Sequence, residues 1–188
     1  EPEPEPEPEP EIVANADLQV TLSFADGSTK SGHVIRIERS EDNYGWSEWL
    51  GAENKLTLDG ESSSGGALLK WTDIQSISIQ KTSLSKADCF YESDYTPWMY
   101  ECNMKAPTTL VDRDGKQWTV GSFRMWRFTF EDETTVEFWM KRYPVREQDS
   151  ELVGRDRVKT ENVDIYERLR ERLRSETQGS MVVKIRID

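Results

Sequence analysis

Leu18, Val20, Leu22 and Phe24 alternate with Gln19, Thr21 and Ser23, and the same two-residue period returns near the far end of the chain in Met181, Val183, Ile185 and Ile187. Neighbouring side chains on a strand point to opposite faces, so segments of this kind suit a sheet with one buried face and suit a helix badly. Ala25, Asp26, Gly27 and Ser28 supply turn chemistry after the first strand, and residues 31–39 read as its returning partner. Further strands fit 55–59, 67–71 and 74–80, separated by Gly- and Ser-rich turns. The chain is therefore expected to be mainly β.

Five short strands joined by tight turns over residues 15–81 predict a small five-stranded barrel of the SH3-like or Sm-like kind, a shape that by itself carries no particular function. A second antiparallel β unit is expected over 82–145. There, 117–120, 123–130 and 134–140 alternate, with Trp126, Phe128 and Phe130 on one face of a strand and Val136, Phe138 and Met140 on one face of the next. Residues 22–29 and 128–135 repeat apolar, hydroxyl, Phe, Asp and Thr positions in register. A duplicated unit would give this match, and so would two ordinary hairpins with similar turn residues; a likeness one hairpin long favours the second. Residues 146–188 open as a polar linker. Asp164 then stands at the start of a helix whose apolar positions, Ile165, Leu169 and Leu173, lie four apart, and Gly179 stops it. The strand that follows is expected to add to a sheet edge, close a barrel or pair with another chain.

Residues 1–14 belong to none of these units. Five Glu-Pro dipeptides open the chain. Proline fixes φ and removes a backbone donor at every second position, and the glutamates repel one another. Such a segment stands out as a solvated polyproline-II rod reaching on the order of 30 Å. Over these ten residues it resembles the periplasm-spanning linker of TonB proteins, a likeness of composition that stops short of the folded part. The resemblance implies a periplasmic or extracellular location; a generic acidic tail that keeps the protein in solution has the same composition. Glu1 rather than Met at the start fits either a removed signal peptide or a trimmed chain.

Charge narrows the partners. The net charge is −12, but the glutamates at 1, 3, 5, 7, 9 and 11 hold six of the 36 acidic residues, leaving 30 acids against 24 bases elsewhere. A mildly acidic body without clustered Lys and Arg argues against nucleic acid. No apolar run approaches the roughly 20 residues that cross a bilayer as a helix.

Cys89 and Cys102 are the two cysteines of the chain, and they bracket Tyr91, Tyr95, Trp98 and Tyr100. In an oxidising compartment they would close a loop of about 14 residues, worth about 3 kcal/mol in the chain-entropy description. Two buried free thiols in a cytosolic domain are the alternative. A stiffened, displayed loop would use its rings to anchor a protein or to stack on sugars, because aromatics give large contact area at low entropy cost. Tyr44, Trp46 and Trp49 form a second aromatic group that would converge on the same surface. The plainer reading sends at least half of these rings into the core. Met99, Cys102 and Met104, with Cys89, offer soft ligands for Cu(I), but a disulfide and a thiolate site exclude each other, and no metal or cofactor is expected. Asp112, Asp114 and Gly115 look at first like the opening of a calcium loop, yet the third acid and closing Glu are missing, so they read as a turn. His33, the single histidine, shares strand parity with Ile35 and Ile37 and is expected at the core or its rim. Without a nucleophile elbow, a phosphate loop or a paired-His zinc motif, no enzyme is expected. Arg168, Arg170, Arg172 and Arg174 interleave with Glu167 and Glu171; they read as a solvated, salt-bridged helix face, or else as a basic stripe for an acidic surface.

These readings converge on a non-catalytic binding or scaffolding module of the cell envelope, tethered or extended by the Glu-Pro rod. It would recognise a protein partner, or form a homo-oligomer, through an aromatic loop stiffened by a disulfide. A carbohydrate-binding domain that takes a polysaccharide, and a structural subunit completed by strand exchange, are the alternatives.

Overall fold

Each alternating segment becomes a strand, and one kind of turn joins several of them. A computed structural model describes residues 18–41, 45–49, 55–59, 68–82, 88–92, 98–120, 124–149 and 163–188. The first strands are β1 (Leu18–Phe24), β2 (Thr29–Glu41), β3 (Gly45–Trp49), β4 (Lys55–Asp59) and β5 (Leu68–Lys70). A 3-10 turn, Trp71–Asp73, leads into β6 (Ile74–Ile79), and β7 (Asp88–Glu92), β8 (Trp98–Ala106), β9 (Thr108–Asp112) and β10 (Gln117–Val120) follow. The chain continues through β11 (Arg124–Phe130), β12 (Thr135–Asp149), the helix α1 (Val163–Gln178) and β13 (Val182–Ile187).

Three hairpins share their turn. The Phe24 N–H donates to the Ser28 carbonyl at 2.9 Å, and the Gly27 N–H donates back to the Phe24 carbonyl at 3.0 Å. Asp112, Gly115 and Lys116 repeat this pattern between β9 and β10, and Phe130, Glu133 and Thr134 repeat it between β11 and β12. The third loop residue is left-handed every time: φ is 87° at Gly27, 82° at Gly115 and 63° at Glu133. The likeness between 22–29 and 128–135 is thus the likeness of a turn used at least three times. Glu133 carries a Cβ where the other two turns have glycine. Glu133→Gly is therefore expected to stabilise the protein by about 0.5–1 kcal/mol. A higher urea midpoint at constant slope would show it, and an unchanged midpoint would mean that the turn holds glutamate without strain.

Carboxylates brace these turns. Asp26 Oδ1 accepts hydrogen bonds from the Ser28 N–H at 2.8 Å and the Ser28 hydroxyl at 2.6 Å. Asp132 Oδ1 does the same for the Thr134 N–H and hydroxyl, and its Oδ2 accepts from Lys30 Nζ at 3.1 Å. The Thr134 hydroxyl first, then the Thr134 N–H and Lys30, hold Asp132 down to about 2 from the ordinary 3.8. A carboxyl depressed by folding contributes stability above the ordinary value and loses it as pH falls through the folded one. Asp132→Asn is accordingly expected to flatten the fall in melting temperature between pH 4 and pH 2. An equally steep fall in the variant would assign the acid loss to other carboxylates.

The described strands pair antiparallel in the order β5-β4-β10-β9-β6-β13-β1-β2-β11-β12-β8-β7, with β3 on β2. Within 15–81, β1 and β6 do not pair with each other: β13 lies between them, in register with β1 on one side and β6 on the other. β4 takes β10 as a neighbour, and β2 takes β11. Pairing therefore runs across the sequence positions 81 and 145. The C-terminal strand, expected to add to a sheet edge, close a barrel or pair with another chain, lies in the interior of the sheet, where it joins β6 to β1.

The core follows from the alternation where no bulge intervenes. β2 carries one: Phe130 pairs with Val34 but Thr129 pairs with Arg36, so Ile35 is the extra residue. A bulge reverses strand parity. Val34 and Ile37 are consequently both buried, and His33 is exposed rather than at the core or its rim. Trp71 is fully buried. Its ring meets Trp126 edge-on at 5.1 Å and Phe128 at 5.2 Å, and Phe128 meets Phe138 at 4.8 Å. Trp71 immediately precedes β6, while Trp126 and Phe128 lie on β11, four strands along the path, so the sheet must curl strongly around this aromatic centre.

β12 changes partner at Lys141, where φ is 68°. Residues 135–140 pair with β11, and 141–149 pair with β8. Among the described residues this second half has β8 as its single strand neighbour, which is why a proline at 144 is tolerated inside the strand. α1 packs over β8 and β12 and closes that end of the core with Ile165, Leu169 and Leu173.

Candidate functional site

The segment expected to be a displayed loop is largely a hairpin. β7 and β8 pair with Cys89 directly opposite Cys102, and the two form a disulfide with their Cα atoms 4.0 Å apart. The soft-metal reading therefore falls, since both sulfurs are engaged. Among the described residues no three His, Cys, Asp or Glu side chains are placed to hold a metal ion. Cys102 is fully buried, whereas Cys89 is half-buried at the margin of the core.

Strand parity decides what β8 displays. Tyr100, Cys102 and Met104 are buried on the face that α1 covers. Tyr100 was expected on a recognition surface; it is 6% exposed, and its ring meets Tyr166 of the helix edge-on at 5.8 Å. The side chains of Tyr91, Trp98, Trp46 and Trp49 lie outside the described residues, though their backbones belong to β7, β8 and β3. Tyr44 and Tyr95 lie outside them altogether. Whether the two aromatic groups share a surface is thus not part of the described structure.

The other face of β8 is polar and nevertheless buried. Glu101 and Asn103 are 7% and 4% exposed. Arg146, opposite Glu101 on β12, donates its Nε–H to Glu101 Oε2, and the Asn103 amide donates to Glu101 Oε1 at 3.2 Å. The Arg146 guanidinium also lies 5.6 Å from the centre of the Trp139 ring. No sequence signal pointed to this group. Glu101 and Arg146 are 45 residues apart in the chain, and such a pair looks like any other two charges until register is known.

The helix ties in through polar contacts. The Tyr143 hydroxyl donates to Glu176 Oε2 at 3.2 Å; burial first, and the Glu176 charge second, push the phenol well above its ordinary range. Arg168 reaches Glu147 at 2.6 Å, Arg170 reaches Glu167 at 2.9 Å, Arg172 reaches Glu176 at 2.7 Å, and Arg174 pairs with Glu171. All four arginines already have a carboxylate, as a salt-bridged face requires. Such exposed pairs each contribute a few tenths of a kcal/mol at most.

Elsewhere, His33 borders a shallow hollow of about 480 Å³ together with Gln19, Ser31, Glu131 and Asp132. Asp112 spends both oxygens on its own hairpin: Oδ1 accepts from the Asp114 and Lys116 N–H groups at 3.0 and 2.8 Å, and Oδ2 accepts from the Trp118 indole at 2.8 Å. It is a turn residue, as the missing calcium ligands implied. No helix among the described residues is long and apolar enough to cross a membrane. No protein-family model, curated protein or solved structure matches the chain.

Proposed function

We propose that this chain is a non-catalytic recognition module of the periplasm or extracellular space, which engages a protein partner through the β7–β8 hairpin and is held away from its anchor by the Glu-Pro rod. The observation that carries the reading is the Cys89–Cys102 disulfide. A bond of this kind persists where thiols are not kept reduced. It fixes the base of a hairpin whose connecting residues include Tyr95 and whose β8 begins at Trp98. Aromatic side chains lose little entropy on docking for the area they bury, and surrounding acids and arginines would orient the partner.

The test uses two single variants and immobilised wild-type protein. Partners captured from envelope extract of the natural host are identified, and their binding to Trp98→Ala and Tyr95→Ala is measured. Partner binding is expected to weaken by about tenfold or more, as for an aromatic hot spot, with melting temperature changed by less than a few degrees. A large drop in melting temperature for Trp98→Ala would make that ring core. Retardation by soluble polysaccharide in an affinity gel, with no protein captured, would move the function to carbohydrate binding.

A further inference from the structure

The disulfide sits at an unusual place for a staple. It does not join distant parts of the chain but joins β7, the last strand of the pairing path, to the strand it already pairs with. Among the described residues, β8 is the strand neighbour of β7, and Cys89, the β7 side chain that is described, is half-buried against the core. β8 itself is held independently, by β12 along its other edge and by α1 over its face.

From this asymmetry we infer that Cys89–Cys102 is a local redox lock on β7. Closed, it keeps β7 on β8. Opened by a dithiol reductant, it frees β7 and turns the outer edge of β8 into a row of unpaired N–H and C=O groups able to accept an extended strand. The chemistry follows from exposure. A thiolate of the reductant attacks the half-buried Cys89 sulfur, and the buried Cys102 sulfur leaves and takes a proton. The second thiol of the reductant then resolves the mixed disulfide. Two electrons and two protons pass to the protein, which ends with two thiols, and the reductant ends as a disulfide. This inference does not depend on the partner proposed above, because it concerns the strand and not what replaces it.

Hydrogen exchange on the full chain tests it, with and without dithiothreitol, the intact mass confirming a gain of two hydrogens. Peptides covering 88–92 are expected to exchange about tenfold faster or more after reduction, while those of β1, β2 and β13 keep their protection. Three results would overturn the lock: unchanged protection at 88–92, loss of protection throughout the chain, or a bond that millimolar dithiothreitol does not open in the folded protein. The double variant Cys89→Ala with Cys102→Ala is expected to show the same local loss without reductant. A variant that fails to fold would itself point to a global staple.

Discussion

Trp71→Ala is expected to destabilise the protein by about 3–5 kcal/mol, a large share of what holds a domain of this size together. The indole is fully buried, and its edge contacts to Trp126 and Phe128 bridge parts of the sheet that strand pairing alone leaves four strands apart. Truncation would leave a cavity in the curl of the sheet, where rigid strands cannot collapse to fill it. Urea unfolding followed by tryptophan emission and by far-ultraviolet circular dichroism reads the loss. Trp71→Phe keeps a ring in the site and should cost visibly less. A loss below about 1 kcal/mol for the alanine variant would show that the aromatic centre is not the main packing element.

Arg146→Leu is the second large effect. It leaves the Glu101 carboxylate buried with the Asn103 amide as its remaining described hydrogen-bond donor, which should cost about 3 kcal/mol. Removing both charges, as Glu101→Leu with Arg146→Leu, should recover most of that loss, because replacing a buried ion pair by apolar side chains is often close to neutral. The double-mutant cycle separates charge from shape. If the double variant is as unstable as the single one, the site needs hydrogen bonds here and not merely charge balance.

What could be read from the residues was local. The alternation of β1, β11 and β13, the turn at Asp26-Gly27 and the four-residue spacing of Ile165, Leu169 and Leu173 are written in neighbouring positions, and each reappears in the structure. The disulfide was also legible, because two cysteines allow one intramolecular pairing. Order along the sheet was not. Nothing near residue 185 in sequence says that its strand lies between residues 20 and 77, since register is a property of pairs. Bulges were equally hidden: a single extra residue at Ile35 reversed the expectation for His33. β7 and β8 were masked by their own composition, because tyrosines, acids and a proline around two cysteines read as a loop. The alternation of Tyr100, Cys102 and Met104 with Glu101, Asn103 and Lys105 was there to be seen, but nothing in it says that the polar face, with Glu101 and Asn103, is buried as well.

The interior position of β13 has a consequence for how the molecule comes into being. One of the two neighbours of β1, residues 182–187, is not made until more than 150 residues after it. At synthesis rates of roughly 5–20 residues per second, β1 and β6 would wait on the order of ten seconds for the strand between them. During that interval β1 can pair with β2 and β6 with β9, but the two halves of the sheet stay unjoined until the last strand enters between them.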